Sequence, residues 1–175
     1  LWHSSAASDV YKRQVNDLIM NALDNLQECP KNNCHFDFER RNLILDDRNE
    51  VNVIDFQDMC IAPIGIDIAG ILLDHYMSFD RSIIKKDLKY FLDHSDISLS
   101  EDDLFEFFRW SGIQRNMRIL GTLANLYCDE GRDFRLKDLP NILSNLTCLI
   151  PEKHNSKSFF VDKVKNKLNE RLAAL

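Results

Sequence analysis

Hydrophobic and polar positions follow a helical period over most of the chain, with one short segment of a different kind. Between Val15 and Cys29 the apolar residues recur at helical spacing, and a proline follows. Two short aliphatic runs, 42–45 and 51–55, then flank the polar segment 46–50, which has the composition of a turn. The sequence therefore predicts one helix followed by a β-hairpin.

A long helix is predicted in the second half of the chain. Ser100 and Asp103 have the spacing of a capping box, which favours a helix start there. The helical pattern continues toward Tyr127, with an interruption expected near Gly112 and an end at Gly131.

The remaining pattern is also helical. One segment is apolar nearly all round, which predicts burial, and the last is rich in lysine, which predicts a solvent-facing surface. These additional helices are predicted at residues 67–79, 83–94, 136–149 and 157–172. The predicted fold class is α+β, mostly α-helical, with one small β-hairpin.

Composition fits one globular domain. The chain has 175 residues, of which 45% are hydrophobic and 29% charged, and its net charge is −6. An acidic chain has no bulk attraction for nucleic acid or an anionic membrane surface, and no apolar run approaches the ~20 residues that span a bilayer. The five cysteines are scattered without zinc-ligand spacing, which fits reduced thiols in the cytoplasm.

The first fourteen residues differ from the rest. The stretch 1–14 is rich in Ser and Ala and lacks the periodicity that follows it. It resembles translated adapter sequence, so we interpret residues 1–14 as a non-native scar and residues 15–175 as the domain. On this interpretation the natural protein continues upstream.

The hairpin carries the first candidate chemistry. With Asp46 opposite Val51, the predicted register leaves a four-residue loop and places Asn42 opposite Asp55. Directly opposed residues have Cβ atoms ~5 Å apart, so an amide oxygen and a carboxylate would converge on one point. Such oxygen ligands suit Mg²⁺. Because Asp55 lies between two apolar residues, we also expect its charge to be buried and therefore paired or bound to metal.

Asp37 adds a candidate base. It precedes Asn42 by five residues, in the segment that leads into the hairpin, where it could accept a proton from an attacking hydroxyl. The same arrangement serves ATP-dependent phosphoryl transfer, in which one Asp orients the nucleophile while an Asn and a second Asp hold metal. The spacing predicts the base and the metal ligands of such a site.

Several motifs together carry a resemblance to a known family. The segment from His35 to about residue 76 resembles the C-terminal lobe of the aminoglycoside phosphotransferase and choline kinase superfamily, which has a protein-kinase-like fold. Within it, the chain is similar to bacterial cell-wall amino-sugar kinases, which phosphorylate N-acetylmuramate and N-acetylglucosamine in peptidoglycan recycling. The motifs that carry this closer similarity are VIDFQD at 53–58, APIGID at 62–67, SGIQR at 111–115, ILG at 119–121 and DLP at 138–140.

The resemblance implies a role for each matching residue, with ATP and Mg²⁺ as cofactors. Asp37 matches the catalytic base, and Asn42 and Asp55 match metal ligands. His35 matches a residue that buttresses the catalytic loop, and Asp67 one that anchors that loop by hydrogen bonds.

Other polar residues near these motifs could contact the phosphate or the substrate. For the two arginines of the loop the alternative is surface ion pairing, and for the Gln-Asp pair after Asp55 it is hydrogen bonding that fixes the loop. Arg115 could bind a substrate carboxylate or form an ion pair with Asp58 or Asp67 across the core. The candidates are Arg40, Arg41, Gln57, Asp58, Gln114 and Arg115.

No ATP-holding half precedes this stretch. There is no Gly-rich loop and no Val-Ala-Ile-Lys-like strand before His35. We therefore expect a fragment that lacks the N-terminal lobe of the same chain, has negligible activity alone and exposes the face built to meet that lobe. The leading hypothesis is transfer of the ATP γ-phosphoryl group to a hydroxyl of a cell-wall amino sugar. Aminoglycoside, choline or homoserine kinases and a non-catalytic pseudokinase scaffold are the alternatives.

Overall fold

A computed structural model describes residues 5–73 and 77–173 of the protein. Most of the helices pack against one long helix, Glu101–Glu130, whereas the strands pair with one another. The helices are α1 Ser5–Gln27, α2 Gly65–Leu72, α3 Arg81–Asp93, α4 Glu101–Glu130, α5 Leu139–Leu149 and α6 Lys165–Leu172. The strands are β1 Lys31–Cys34, β2 Leu43–Leu45, β3 Val51–Val53 and β4 Cys60–Pro63, paired as β1–β4 and β2–β3. The fold is mostly helical with two small antiparallel sheets.

Helix α1 begins earlier than the sequence pattern predicts. It starts at Ser5 and runs without a break through the segment interpreted as a scar, of which residues 1–4 lie outside the described part. The Tyr11 ring stacks on Phe159 with centroids 5.2 Å apart. Of the apolar stripe predicted from residue 15 onward, Leu18, Ala22 and Leu26 are buried in the core, whereas Ile19 and Leu23 are exposed. The non-native origin of residues 1–14 stays a prediction.

The hairpin forms, but its register is shifted by one residue from the predicted one. Leu43 pairs with Val53, so Asn42 stands level with Ile54, whose N–H donates to the Asn42 carbonyl over 3.0 Å. The predicted opposition of Asn42 and Asp55 is therefore wrong.

The turn explains the shift. Asp46 pairs with Glu50 through a backbone hydrogen bond of 3.0 Å, and the Asp46 side chain accepts from the N–H groups of Arg48 and Glu50. Asn49 takes a left-handed conformation (φ 60°), as the last residue of a three-residue hairpin loop does. A shorter loop than the predicted one is thus closed by the Asp46 carboxylate.

The β1–β4 sheet was not predicted. Its first strand reads Lys-Asn-Asn-Cys, a polar sequence with no strand propensity. Cys34 pairs with Cys60 at the end next to the candidate catalytic loop, residues 35–42. Pro30 O accepts from the N–H of Ile64 over 3.0 Å, which joins the start of β1 to α2. The sheet positions His35 beside the first turn of α2.

Helix α4 begins and ends where predicted but is not interrupted. Ser100 Oγ accepts from the Asp103 N–H at 3.0 Å, and Gly131 ends the helix in the left-handed region (φ 67°). The break expected near Gly112 is wrong because this glycine serves close packing. A Cβ there would lie 2.4 Å from Leu73 Cδ1 and 2.8 Å from Leu149 Cδ1.

The helix predicted over residues 67–79 is shorter than expected. Helix α2 ends at Leu72, and residues 74–76 of the prediction lie outside the described part. Beyond them, Asn145 on α5 donates to the Met77 carbonyl and accepts from the Phe79 N–H at 3.0 Å each. These bonds to α5 replace the helical ones that the prediction assumed.

The last two predicted helices form at the expected positions, but each begins with a helical segment of another type. A 3₁₀ turn precedes α5, and a π-helical segment over residues 159–164 precedes α6. The start of the last predicted helix is not solvent-facing, since Phe159 and Phe160 are buried. Lys157 Nζ donates to the Thr147 and Ile150 carbonyls and so caps the end of α5. Within the described part, no helix has the length and apolar character needed to cross a membrane.

Candidate active site

Asp67 holds the catalytic loop from the first turn of α2. Its Oδ2 accepts from the His35 N–H at 2.6 Å and its Oδ1 from the Phe36 N–H at 2.9 Å. Phe36 has φ 71°, a left-handed conformation that a side chain bearing Cβ rarely adopts. The paired hydrogen bonds of Asp67 stabilise this strained turn immediately before Asp37.

His35 connects the same loop to the end of the hairpin. Its ring Nε2 lies 2.8 Å from the Ile54 carbonyl oxygen, which can only accept, so Nε2 carries the proton. The other ring nitrogen, Nδ1, is buried without a partner among the described residues. His35 therefore fixes the backbone just before Asp55 relative to the catalytic loop.

Helix α2 approaches the catalytic loop closely at Gly70. A Cβ on this residue would lie 2.4 Å from the carbonyl oxygen of Phe38, a backbone atom that cannot move aside without moving the loop. No local pattern in the sequence marks Gly70 as part of the site. Because Gly70 has no side chain, α2 can pack directly against the backbone of the loop.

Asn42 is fixed beside Asp37. Its Nδ2 donates to the Asp37 carbonyl at 2.8 Å and lies 3.4 Å from Asp37 Oδ2, and its side chain is buried. A short 3₁₀ turn over Arg40–Asn42 brings the two residues together. With Nδ2 so committed, Oδ1 accepts no hydrogen bond from any described residue and is the oxygen that could ligate a cation.

A chain of alternating charges surrounds Asp37. Arg41 donates to Asp37 Oδ2 at 2.6 Å and lies 3.2 Å from Glu39 Oε2. Arg115 on α4 in turn donates to Glu39 Oε1 at 2.6 Å and to the Leu73 carbonyl at 3.2 Å. The alternative in which Arg115 pairs with Asp58 or Asp67 is wrong, because Glu39 of the loop is the carboxylate that its guanidinium contacts.

These contacts change the ionisation of the site. Burial raises the pKa of Asp37, but the Arg41 guanidinium and the Asn42 amide outweigh it and lower the pKa below its ordinary value. The hydrogen bond to Asp37 raises the pKa of Arg41, and the carboxylates of Glu39 and Asp55 raise it further. Asp55 therefore lies within electrostatic reach of the same cluster.

Asp55 is oriented by backbone conformation and by its neighbour. It has φ 63°, and Gln57 Nε2 donates to its Oδ1 at 2.7 Å. The expected burial of this carboxylate is wrong: Asp55 is exposed, as are Ile54 (40%) and Phe56 (61%) beside it. Asp58 is also exposed and makes no hydrogen bond or ion pair with a described residue.

The donor set fits a hard divalent cation. The Asn42 amide oxygen and the Asp55 carboxylate are the ligand types that Mg²⁺ takes when phosphates and water complete its shell. Within residues 5–73 and 77–173, no three His, Cys, Asp or Glu side chains cluster to hold a metal. An amide–carboxylate pair suits an ion bound together with a nucleotide rather than a closed protein cage.

The other candidates are distributed around the loop. Gln114 lines a small cavity of about 10 Å³ together with Asp37, Glu39, Arg115 and, beyond the sequence-based candidates, Arg118. Arg40 opens the 3₁₀ turn and is exposed. The structural partner that sequence reasoning missed is Glu39, since its ion pair with Arg115 spans 76 residues and no local spacing signals it.

Comparisons with known proteins show what this chain is similar to. A family model described as "Phosphotransferase enzyme family" matches residues 3–97, more than half of the chain. An N-acetylmuramate/N-acetylglucosamine kinase of Neisseria meningitidis is 30% identical over 122 residues, which cover 67% of this chain and 36% of that protein.

Two kinases of the same name are also similar. The one from Pseudomonas aeruginosa is 27% identical over 148 residues, covering 82% of this chain and 42% of that protein. The one from Pseudomonas putida is 26% identical over 133 residues, covering 73% of this chain and 39% of that protein. The chain thus matches 36–42% of the length of these curated relatives.

Proposed function

The chain belongs to the phosphotransferase enzyme family, and from that premise we propose that it is the catalytic lobe of a longer kinase. This kinase transfers the γ-phosphoryl group of ATP to a hydroxyl of a small molecule, a cell-wall amino sugar. The observation that carries the proposal is the fixed group of Asp37 and Asn42, with Asp55 within electrostatic reach, on a loop tied to Asp67.

Asp37 acts on the acceptor hydroxyl. Its lowered pKa keeps it ionised at neutral pH, so it can accept the hydrogen bond of the hydroxyl and orient the oxygen. Phosphoryl transfer through a loose transition state needs positioning and charge stabilisation more than a strong base. A carboxylate of low pKa on a rigid loop fits that requirement.

Asn42 and Asp55 would hold Mg²⁺ with the phosphates of ATP. The ion would neutralise negative charge on the transferring group. Arg41, whose side chain is 62% exposed beside Asp37, adds positive charge next to the transferring phosphate. Gln57 restricts the conformation of the Asp55 carboxylate through its hydrogen bond.

The acceptor class rests on the relatives. Three similar proteins are named for N-acetylmuramate and N-acetylglucosamine, and the 53–58 and 111–115 motifs resemble those of amino-sugar kinases. Aminoglycoside, choline and homoserine kinases are the alternatives within the family. We expect this chain alone to have negligible turnover, because no described residue forms a lobe that would hold ATP.

The surface around the hairpin supports a covering lobe. Several large apolar side chains on β2, β3 and β4 and on the loop after Asp55 are exposed to solvent, which is costly for a free surface. They are Ile44, Leu45, Val51, Val53, Ile54, Phe56, Met59 and Ile61. In the longer protein, we propose, an N-terminal lobe lies against them and encloses the nucleotide.

The test uses the longer protein that contains this chain. ADP release is measured with ATP, Mg²⁺ and a panel of N-acetylmuramate, N-acetylglucosamine, choline, homoserine and kanamycin. Release that depends on either sugar supports the proposal. Turnover with choline, homoserine or kanamycin alone contradicts the amino-sugar assignment, and no turnover with any acceptor favours a non-catalytic scaffold.

A further inference from the structure

One face of α4 is turned toward the catalytic loop. Its residues Gln114, Arg115 and Arg118 line a small cavity together with residues 36–39 of the loop. A cavity of about 10 Å³ admits roughly one water molecule. A larger ligand would therefore lie across its mouth, between the catalytic loop and α4, within contact distance of Asp37.

The two arginines of this face differ in what they bind. Arg115 is 4% exposed and committed to Glu39 and to the Leu73 carbonyl. Arg118 is exposed and makes no ion pair with a residue in the described part of the chain. Its guanidinium lies over the Phe36 ring, 5.9 Å from the centroid. One arginine thus builds the site, and the other faces the solvent beside it.

We propose that Arg118 determines acceptor specificity by binding a carboxylate of the substrate whose hydroxyl lies on Asp37. This inference rests on the proposed function and assigns the anion-recognising role to Arg118 instead of Arg115. Within the amino-sugar class it selects the acceptor that carries an acidic substituent, such as the lactyl group of N-acetylmuramate, over its neutral counterpart.

The geometry suits that task. A guanidinium binds a carboxylate through two parallel N–H···O bonds, which fixes orientation as well as charge. Contact with the Phe36 ring restricts the long Arg118 side chain before the ligand arrives, so less conformational entropy is lost on binding. Gln114 is half-buried on the preceding turn of α4. Its side-chain amide offers a hydrogen-bond donor and an acceptor at the same cavity.

Binding to the longer protein that contains this chain tests the proposal without requiring turnover. N-acetylmuramate and N-acetylglucosamine are titrated into ¹⁵N-labelled protein while backbone and arginine side-chain signals are followed. Arg118→Gln should weaken N-acetylmuramate binding by about fivefold, the upper end of what an exposed ion pair contributes. The affinity for N-acetylglucosamine should stay unchanged.

Controls separate this effect from a general loss of charge or of folding. Arg132→Gln removes an exposed cation beyond the end of α4, outside the cavity, and should leave both affinities unchanged. Arg118→Lys keeps the charge without the planar guanidinium and should retain part of the selectivity. Unchanged amide dispersion in all variants reports an intact fold.

Three results would overturn the inference. These are equal affinity of wild type and Arg118→Gln for N-acetylmuramate, an equal loss for both sugars, and absence of N-acetylmuramate binding to the longer wild-type protein. The outcome is separate from that of the proposed function: a longer protein that phosphorylates both sugars with unaltered selectivity in Arg118→Gln keeps its function and refutes this role of Arg118. A longer protein that binds N-acetylmuramate selectively through Arg118 but phosphorylates neither sugar supports this role of Arg118 and refutes the proposed function.

Discussion

At the scale of single residues, the alternating charges of Asp37, Arg41, Glu39 and Arg115 join the candidate base to the core. The carboxylates of Asp37 and Glu39 each lie within 3.2 Å of a guanidinium. The outer pair is accessible to solvent and the inner pair is not, since the Arg115 and Glu39 side chains are 5% and 13% exposed. The two pairs therefore have different consequences when they are broken.

Removing the outer cation should change the ionisation of Asp37. Because Arg41 lowers the pKa of this carboxyl, Arg41→Gln should raise it, as measured by ¹³C NMR titration of the aspartate carboxyls. Arg48→Gln, in the hairpin turn, is the matched control and should leave it unchanged. An Asp37 pKa that stays the same or falls in Arg41→Gln would contradict this account.

The same pair predicts the sign of a pH effect on stability. A carboxyl whose folded pKa is depressed stabilises the fold above its ordinary pKa, and this contribution is lost as the pH falls through the folded value. The difference in free energy of unfolding between wild type and Arg41→Gln should therefore shrink below about pH 4. Urea denaturation at several pH values measures it, and a difference that grows in acid would refute the linkage.

Breaking the inner pair should cost more. Arg115→Met leaves the Glu39 charge largely buried and removes the bond to the Leu73 carbonyl, which should lower the free energy of unfolding by about 3 kcal/mol. Adding Glu39→Gln to this variant should recover part of the loss, because no buried charge then remains. Chemical denaturation measures both, and a cost below about 1 kcal/mol for Arg115→Met would show that the pair is not buried in solution.

At the scale of elements, the sequence predicts the parts whose signals are local. The ends of α4 follow from Ser100 and Gly131, whose side-chain and backbone chemistry act within one turn. The Asp37–Asn42 contact likewise lies within five residues. The hairpin register was missed because the Asp46 carboxylate, rather than the apolar pattern, closes the turn.

Long-range contacts could not be predicted in this way. The polar strand β1 exists because β4, almost thirty residues later, pairs with it. The Glu39–Arg115 pair similarly depends on α4 passing behind the catalytic loop. No periodicity or composition of the local sequence encodes such partners.

Two glycines in α4 make a matched pair for testing how this helix packs. A Cβ on Gly121 would meet no atom within 4 Å, whereas a Cβ on Gly112 would overlap two leucine side chains that are 2% and 1% exposed. Gly121→Ala should stabilise the protein by about 0.5–1 kcal/mol through helix propensity. Gly112→Ala should destabilise it by about 1–2 kcal/mol, because the cost of overpacking the two leucines exceeds the gain in helix propensity.

Thermal and urea unfolding of the two variants decide the point. Opposite shifts support tight packing of α4 on Leu73 and Leu149 at Gly112. Shifts of the same sign and size would contradict it, because a Cβ would then be tolerated equally well at both glycines.

At the scale of the whole molecule, the structure is organised around one helix that serves both core and site. Helix α4 packs against α1, α2, α3 and α5, and it also carries Arg115 and Arg118 to the catalytic loop. A group of eight exposed large apolar residues lies instead on the hairpin, on β4 and on the segment between them. The molecule therefore has a helical core and an apolar edge at the hairpin, which we propose is covered by a further lobe in a longer protein.

Turnover of the longer protein with Asp37→Asn tests whether Asp37 acts on the acceptor hydroxyl. If Asp37 orients and deprotonates the acceptor hydroxyl, kcat for sugar-dependent ADP release should fall by about 10²–10⁴-fold with little change in the KM for sugar. The control Asp47→Asn removes a carboxylate from the hairpin loop and should leave kcat unchanged. A kcat for Asp37→Asn within roughly threefold of wild type would contradict the assignment of this loop as the phosphotransfer site.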